Sequence, residues 1–197
     1  MPAVGVTVPM WQFRTREALA AVVRFAFVLA LGALTSGCFQ PLYGNQTVGS
    51  GDSVRDKLGA VEIPEIKAAN GTPDARIAVA VRNALLYDFD GGQTPTSPIY
   101  RLVIAFGSGK TTVITSVTSG LPTEQLELIN ASLTLTEIAT QKVVLQTSTF
   151  ARASYDIPGP EQRFAAQRAA RNAEDRAVDV LAENIRNRLA SYFVAGT

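Results

Sequence analysis

The sequence predicts an α+β fold, a two-layer sandwich in which both helices lie on one face of a mostly antiparallel sheet. Three observations predict it: a short strand is followed by a helical repeat of apolar residues, three segments then alternate apolar and polar residues, and a long helical repeat ends the chain. Each segment has one apolar face to bury. A single sheet covered by two helices buries all of them.

The first strand and the first helix each carry a proline that limits their placement. The stretch LGAVEIPEI predicts a short strand, and Pro64 confines it to an edge or a bulge because proline donates no backbone hydrogen bond. Thr72 is a hydroxyl N-cap, and Pro73 occupies the first helical position. The predicted helix buries a stripe with Ile77 and ends at the DGG sequence of residues 90–92.

Three strands are expected next, with Ser and Thr crowding the faces opposite their apolar residues. The strand candidates are SPIYRLVIAFGS, with Tyr100, Leu102, Ile104 and Phe106 on one face; TTVITSV continuing through TEQLELINASLTLTEI, with Leu126, Leu128, Leu133 and Leu135; and QKVVLQTSTFARASYD, with Val143, Leu145, Thr147 and Thr149. This composition predicts antiparallel strands with one face in the core and the other face exposed to water.

The last helix is predicted to begin at Pro160 and Glu161 and to approach 30 residues. Its apolar side is expected to comprise Phe164, Val178, Leu181, Ile185, Leu189 and Tyr192. Its arginines alternate with acids, which favours a solvated face, with a basic groove for phosphates as the alternative. Glu174 and Asp175 are neighbours that point apart on a helix, so they cannot act together as acid and base.

The motif GSGKTT at residues 107–112 resembles the end of a nucleotide-binding P-loop. That motif needs a glycine where Ile104 stands and a helix after the lysine, whereas β-branched residues follow Lys110. We interpret the two glycines as a hairpin turn. The alternative is a loop whose Lys110 contacts an anionic lipid.

Composition limits the chemistry that the chain can perform. The 197 residues include no histidine and one cysteine, which disfavours metal sites and Cys-His catalysis. The formal charge of +1 gives no global reason for a nucleic-acid partner. With no catalytic set, no metal ligands and no cofactor motif, we expect a protein that is not an enzyme.

The single cysteine follows the apolar run FAFVLALGAL and three small residues, Thr35 to Gly37. This arrangement resembles the lipobox of bacterial lipoproteins, in which the thiol is acylated and the peptide is cut before it. Thr35 stands where that family usually has leucine. We therefore expect a signal peptide at residues 1–37, lipid attached to Cys38, a tether at 38–58 and a periplasmic α+β domain at 59–197. The alternative is an ordinary secretory signal followed by a buried cysteine.

The motif GCFQPLYG, together with the final helix RFAAQRAARNAEDRAVDVLAENIRNRLASYF, resembles the LPS-assembly lipoprotein family, LptE, in its alphaproteobacterial form. The resemblance implies an outer-membrane lipoprotein, held there by its lipid anchor, that plugs the LptD β-barrel, helps it to assemble and binds lipopolysaccharide. Phosphates of lipopolysaccharide bind Lys or Arg, and position alone makes Lys110 and Arg101 the candidates. A periplasmic binding module or a secretin pilot is the alternative function.

Overall fold

The structure, a computed structural model, describes residues 53–92, 94–159 and 161–195. The described elements are α1 (Val54–Gly59), β1 (Val61–Glu62), α2 (Pro73–Asp90), β2 (Tyr100–Thr115), β3 (Pro122–Glu137), β4 (Val143–Asp156) and α3 (Arg163–Ala195). The predicted order of strand, helix, three strands and helix is confirmed, with α1 as an addition that the sequence analysis did not foresee.

The four strands form one sheet in the order β1-β2-β3-β4. The two-residue strand β1 pairs parallel with the start of β2 and lies at the edge, as Pro64 predicted, while the other two pairings are antiparallel. Helices α2 and α3 pack on one face and leave the other face open to solvent. The predicted α+β fold class is therefore confirmed.

Helix α2 begins and ends where local chemistry predicted. The Oγ1 atom of Thr72 accepts a hydrogen bond of 3.3 Å from the backbone N–H of Ala75, and Pro73 opens the helix. Gly91 ends it at a φ of 64°, a left-handed conformation that glycine adopts without a Cβ penalty. The two ends position Ile77 and the rest of its apolar stripe in the core.

Helix α1 lies within the stretch expected to be a tether. Ser53 caps it, with reciprocal hydrogen bonds between Ser53 and Asp56, and Val54 and Leu58 are buried in the core. Packing of these two side chains places the last residues of the expected tether against the core of the domain. The predicted signal peptide and the predicted lipid attachment at Cys38 lie outside the described residues.

The GSGK segment is not a turn. Strand β2 continues through it to Thr115, with Gly107 opposite Asn130 and Gly109 opposite Leu128 on β3. The β-branched residues that follow Lys110 extend the strand, and the chain instead reverses between Ser116 and Leu121. The extended backbone also rules out a helix starting at the lysine, so no P-loop is present here.

The expected buried face of β3 is wrong at its first half. Leu126 and Leu128 are half-exposed, whereas Glu127 and Ile129 are buried together with Leu133 and Leu135. Pairing with both neighbours runs from residue 125 to 135 without a bulge, so strict alternation places the odd-numbered residues towards the helices. One consequence is a buried carboxylate at position 127.

Helix α3 supplies the largest part of the core. Leu181, Ile185 and Leu189 are fully buried, as the helical spacing predicted, but Phe164 is 81 % exposed and lies outside the core. Phe164 belongs to the first turn, two residues into a helix whose buried face starts only at Ala173. No helix among the described residues is long and apolar enough to cross a membrane.

Candidate functional site

Two carboxylates lie in the core under one lysine. Glu127 on β3 is 1 % exposed and Glu174 on α3 is 4 % exposed. The Nζ atom of Lys110 on β2 lies 3.2 Å from Oε1 of Glu174 and 3.7 Å from Oε2 of Glu127. Buried charges are costly unless they are paired, so the charge of Lys110, which lies close to both carboxylates, offsets part of the cost of burying them.

A second cation completes this group of charges. The guanidinium of Arg76, on α2, forms an ion pair with Oε2 of Glu174. We call Lys110, Arg76, Glu127 and Glu174 the Lys110 cluster. Its two positive and two negative groups balance, and they join the β2–β3 hairpin to both helices.

A hydrogen bond beside the cluster ties the same elements together. Ser108 Oγ on β2 donates to Oδ1 of Asp74 in the first turn of α2. The N-terminal end of α2 is thus held to β2 by a hydrogen bond and to α3 by the Arg76 ion pair. These two contacts link helix α2 to strand β2 and to helix α3.

Burial perturbs two titrating groups at this end of the sheet. Burial raises the pKa of Glu127, and the charge of Lys110 opposes that rise only in part. Burial also raises the pKa of Tyr155, with a further contribution from the charge of Glu127, and the Tyr155 hydroxyl donates to Oε1 of Gln125 at 2.7 Å. Such pKa shifts occur at functional sites and in structural ion-pair networks alike, and the balanced pairing here fits a structural network.

The structure separates the two residues that position had suggested for phosphate binding. Arg101 lies at the start of β2 on the open face, with its Nε 3.0 Å from Oε2 of Glu62. Lys110 is nine residues further along the strand and points to the helices, so about 30 Å separates the two positions at 3.3 Å per residue. Each is in ion pairs with nearby carboxylates, Arg101 with Glu62 and Lys110 with Glu127 and Glu174.

Sequence reasoning missed the other members of the Lys110 cluster. Glu127 shares its parity with Ile129 on β3, and Glu174 shares the face of α3 that buries Ala173 and Ala177. In the sequence, burial of these two glutamates is indicated only by their spacing from apolar residues on the same strand face or helix face. No group of three or more potential metal ligands exists in the described parts of the chain.

The open face of the sheet carries small and polar side chains together with exposed apolar ones. Its middle rows contain no charged residue; Val103 and Phe150, which are 48 % and 49 % exposed, accompany the small and polar residues Ala105, Gly107, Asn130, Ser132, Gln146 and Ser148. A face of this kind tolerates contact with water or with another polar wall, since few groups need a charged partner.

The β2–β3 hairpin extends beyond the rest of the sheet to an apolar tip. The thirteen residues from 111 to 123 contain no charge, and Val113, Ile114, Val117 and Leu121 are each more than half exposed. An exposed cluster of this kind marks an interaction surface more often than scattered apolar residues do.

The fold is shared with solved lipoprotein structures. A candidate lipoprotein from Caulobacter crescentus superimposes with a TM-score of 0.56 at 17 % identity, covering 73 % of this chain and 97 % of its own. The rare lipoprotein B from Shewanella oneidensis gives 0.50 at 13 % identity, covering 68 % and 96 %. No protein-family model and no curated protein sequence matches. The chain therefore has the α+β fold found in these two lipoproteins.

Proposed function

We propose that this protein is an outer-membrane lipoprotein that plugs the LptD β-barrel and assists its assembly in lipopolysaccharide transport. The observation that carries the proposal is the conjunction of a lipobox-like Cys38 with a fold shared with a rare lipoprotein B. The motif FQPLYG, which follows the cysteine, supports the same family.

The dimensions of the hairpin suit a plug. Strands β2 and β3 have 16 residues each, so the hairpin is about 50 Å long at 3.3 Å per residue. The apolar band of an outer-membrane barrel is about 25 Å tall. The hairpin can therefore extend through such a barrel with its tip beyond the apolar band.

The chemistry of the open face also suits a barrel interior. Barrel lumens are polar, and the middle of the open face offers Ser132, Ser148, Asn130 and Gln146 without a net charge. A lipid anchor at Cys38 keeps the domain beside its barrel at high local concentration. Lipopolysaccharide binding belongs to the same proposal, with Lys110 and Arg101 as candidate phosphate contacts.

Affinity purification from outer membranes tests the proposal. The plug function predicts that a β-barrel protein co-purifies at about one copy per lipoprotein and resists separation. Recovery of the lipoprotein alone, in excess, contradicts it. Depletion of the protein distinguishes the plug function from the alternative. Loss of a plug should reduce surface lipopolysaccharide, whereas loss of a secretin pilot or another binding module should leave surface lipopolysaccharide normal.

A further inference from the structure

Strand β4 is the outer strand of the described sheet, and its free edge is only partly covered. The backbone carbonyl of Phe150 accepts a 3.1 Å hydrogen bond from Nδ2 of Asn184, and that of Ser154 accepts a 2.7 Å bond from Arg176. Both donors belong to α3. The second half of the edge is therefore blocked by helix side chains, one of the ways in which proteins protect edge strands.

No described strand pairs with the first half of the same edge. Backbone groups of successive residues point to opposite edges of a strand, so alternate residues point to the same edge, and β4 pairs with β3 from Leu145 onwards without a register shift. Since the carbonyls of Phe150 and Ser154 point outward, those of Gln146 and Ser148 do too. Within the described chain, no strand lies beside this edge of β4 at these two positions.

A cleft runs beside this open edge, between β4 and α3. Its volume is about 840 Å³, and Thr147, Phe150 and Val180 form part of its wall. Phe150 and Val180 are 49 % and 43 % exposed. Side chains of an added strand would enter this space from one face, since alternate residues of a strand point the same way.

The positive charge of the cleft favours an occupant that carries negative charge. Arg152 and Arg188 line it, and the lining contains no acid. Arg152 stacks over the Phe150 ring at 5.1 Å, and in the described part of the chain neither arginine is in an ion pair. A second copy of this chain would bring like charges together, so the complementary occupant carries a carboxylate.

We propose that the Gln146–Ser148 edge of β4 pairs with an extended, carboxylate-bearing segment of the partner β-barrel protein, whose side chains fill the cleft between β4 and α3. The proposal rests on the plug function above. A protein strand is favoured over a lipid because the outward amides and carbonyls repeat with the spacing of a β-ladder, which only another backbone matches.

Amide hydrogen exchange on the co-purified complex tests the pairing. We expect the amides of Gln146 and Ser148 to exchange rapidly in the isolated lipoprotein and at least about tenfold more slowly in the complex, because a ladder hydrogen bond must open before exchange. Equal exchange in the two samples overturns the proposal. Protection by phosphatidylglycerol vesicles in the absence of the barrel also overturns it, because a lipid is then the occupant.

Substitutions supply a second readout. Gln146→Pro removes an outward N–H that β3 does not use, and it should reduce barrel recovery by about fivefold or more, whereas Gln146→Thr, which keeps the N–H, should not. Arg188→Glu should weaken recovery, while Arg163→Glu, at the far end of α3, should leave it unchanged. If Gln146→Pro fails to fold, the amide exchange data and the barrel recovery with Arg188→Glu test the pairing instead.

The two proposals fail in different ways. If the unaltered lipoprotein brings down no barrel protein, the plug function itself is contradicted. If the barrel co-purifies but neither Gln146→Pro nor Arg188→Glu reduces its recovery and the edge amides stay unprotected, only the pairing through β4 is contradicted.

Discussion

Replacing Lys110 with methionine tests whether the Lys110 cluster holds the hairpin to the helices. The change keeps most of the side-chain volume and removes the charge that lies 3.2 Å and 3.7 Å from two carboxylates. Breaking a buried ion pair by removing one partner costs about 3–5 kcal/mol. Lys110 is 41 % exposed and so partly screened by water, which lowers our expectation to about 2 kcal/mol.

Urea unfolding of residues 38–197 with Cys38→Ser, with and without Lys110→Met, measures this cost at pH 7. The loss should shrink at pH 4.5, because protonation of Glu127 removes the charge that Lys110 neutralises. Lys110→Met combined with Glu127→Gln should lose less than the sum of the two single effects. A loss below about 0.5 kcal/mol, or one that is the same at both pH values, would refute a role for the cluster in stability.

Further predictions concern single positions. Burial raises the pKa of Glu127 above 4.5, so the folded state holds the carboxyl proton more tightly than the unfolded state does. The stability of the unaltered protein relative to Glu127→Gln should therefore fall as the pH rises through the folded-state pKa, and it should level off below about pH 4.5. Urea titrations at several pH values measure this difference. Thr72→Ala removes the cap of α2 and should cost about 1 kcal/mol in the same assay. Leu181→Ala in the core should cost about 3 kcal/mol, and Val180→Ala beside it, which is 43 % exposed, less than about 0.5 kcal/mol.

Much of the fold was predictable because its signals are local. The cap at Thr72, the glycine stop at Gly91 and the apolar spacing around Ile185 each act within a few residues. Gly107 and Gly109 misled the prediction of β2, because a glycine fits a turn or a strand, and only pairing with β3 determines which it adopts here.

The Lys110 cluster was not predictable to the same degree. Its four members come from four elements, and their juxtaposition depends on the register of β2 with β3 and on the rotation of α2 and α3. Glu127 also reverses the expectation that leucines mark the buried face, because Leu126 and Leu128 lie on the other side of the strand. Tertiary packing rather than local propensity decided that face.

We propose that this protein works as a lipoprotein inside an outer-membrane barrel, and the stoichiometry of the native complex tests that proposal most directly. The protein should be purified from outer membranes and the mass of the intact assembly measured. We predict one β-barrel protein for each lipoprotein, with the pair surviving detergent exchange. A free lipoprotein population, with no barrel protein in stable association, would contradict the claim.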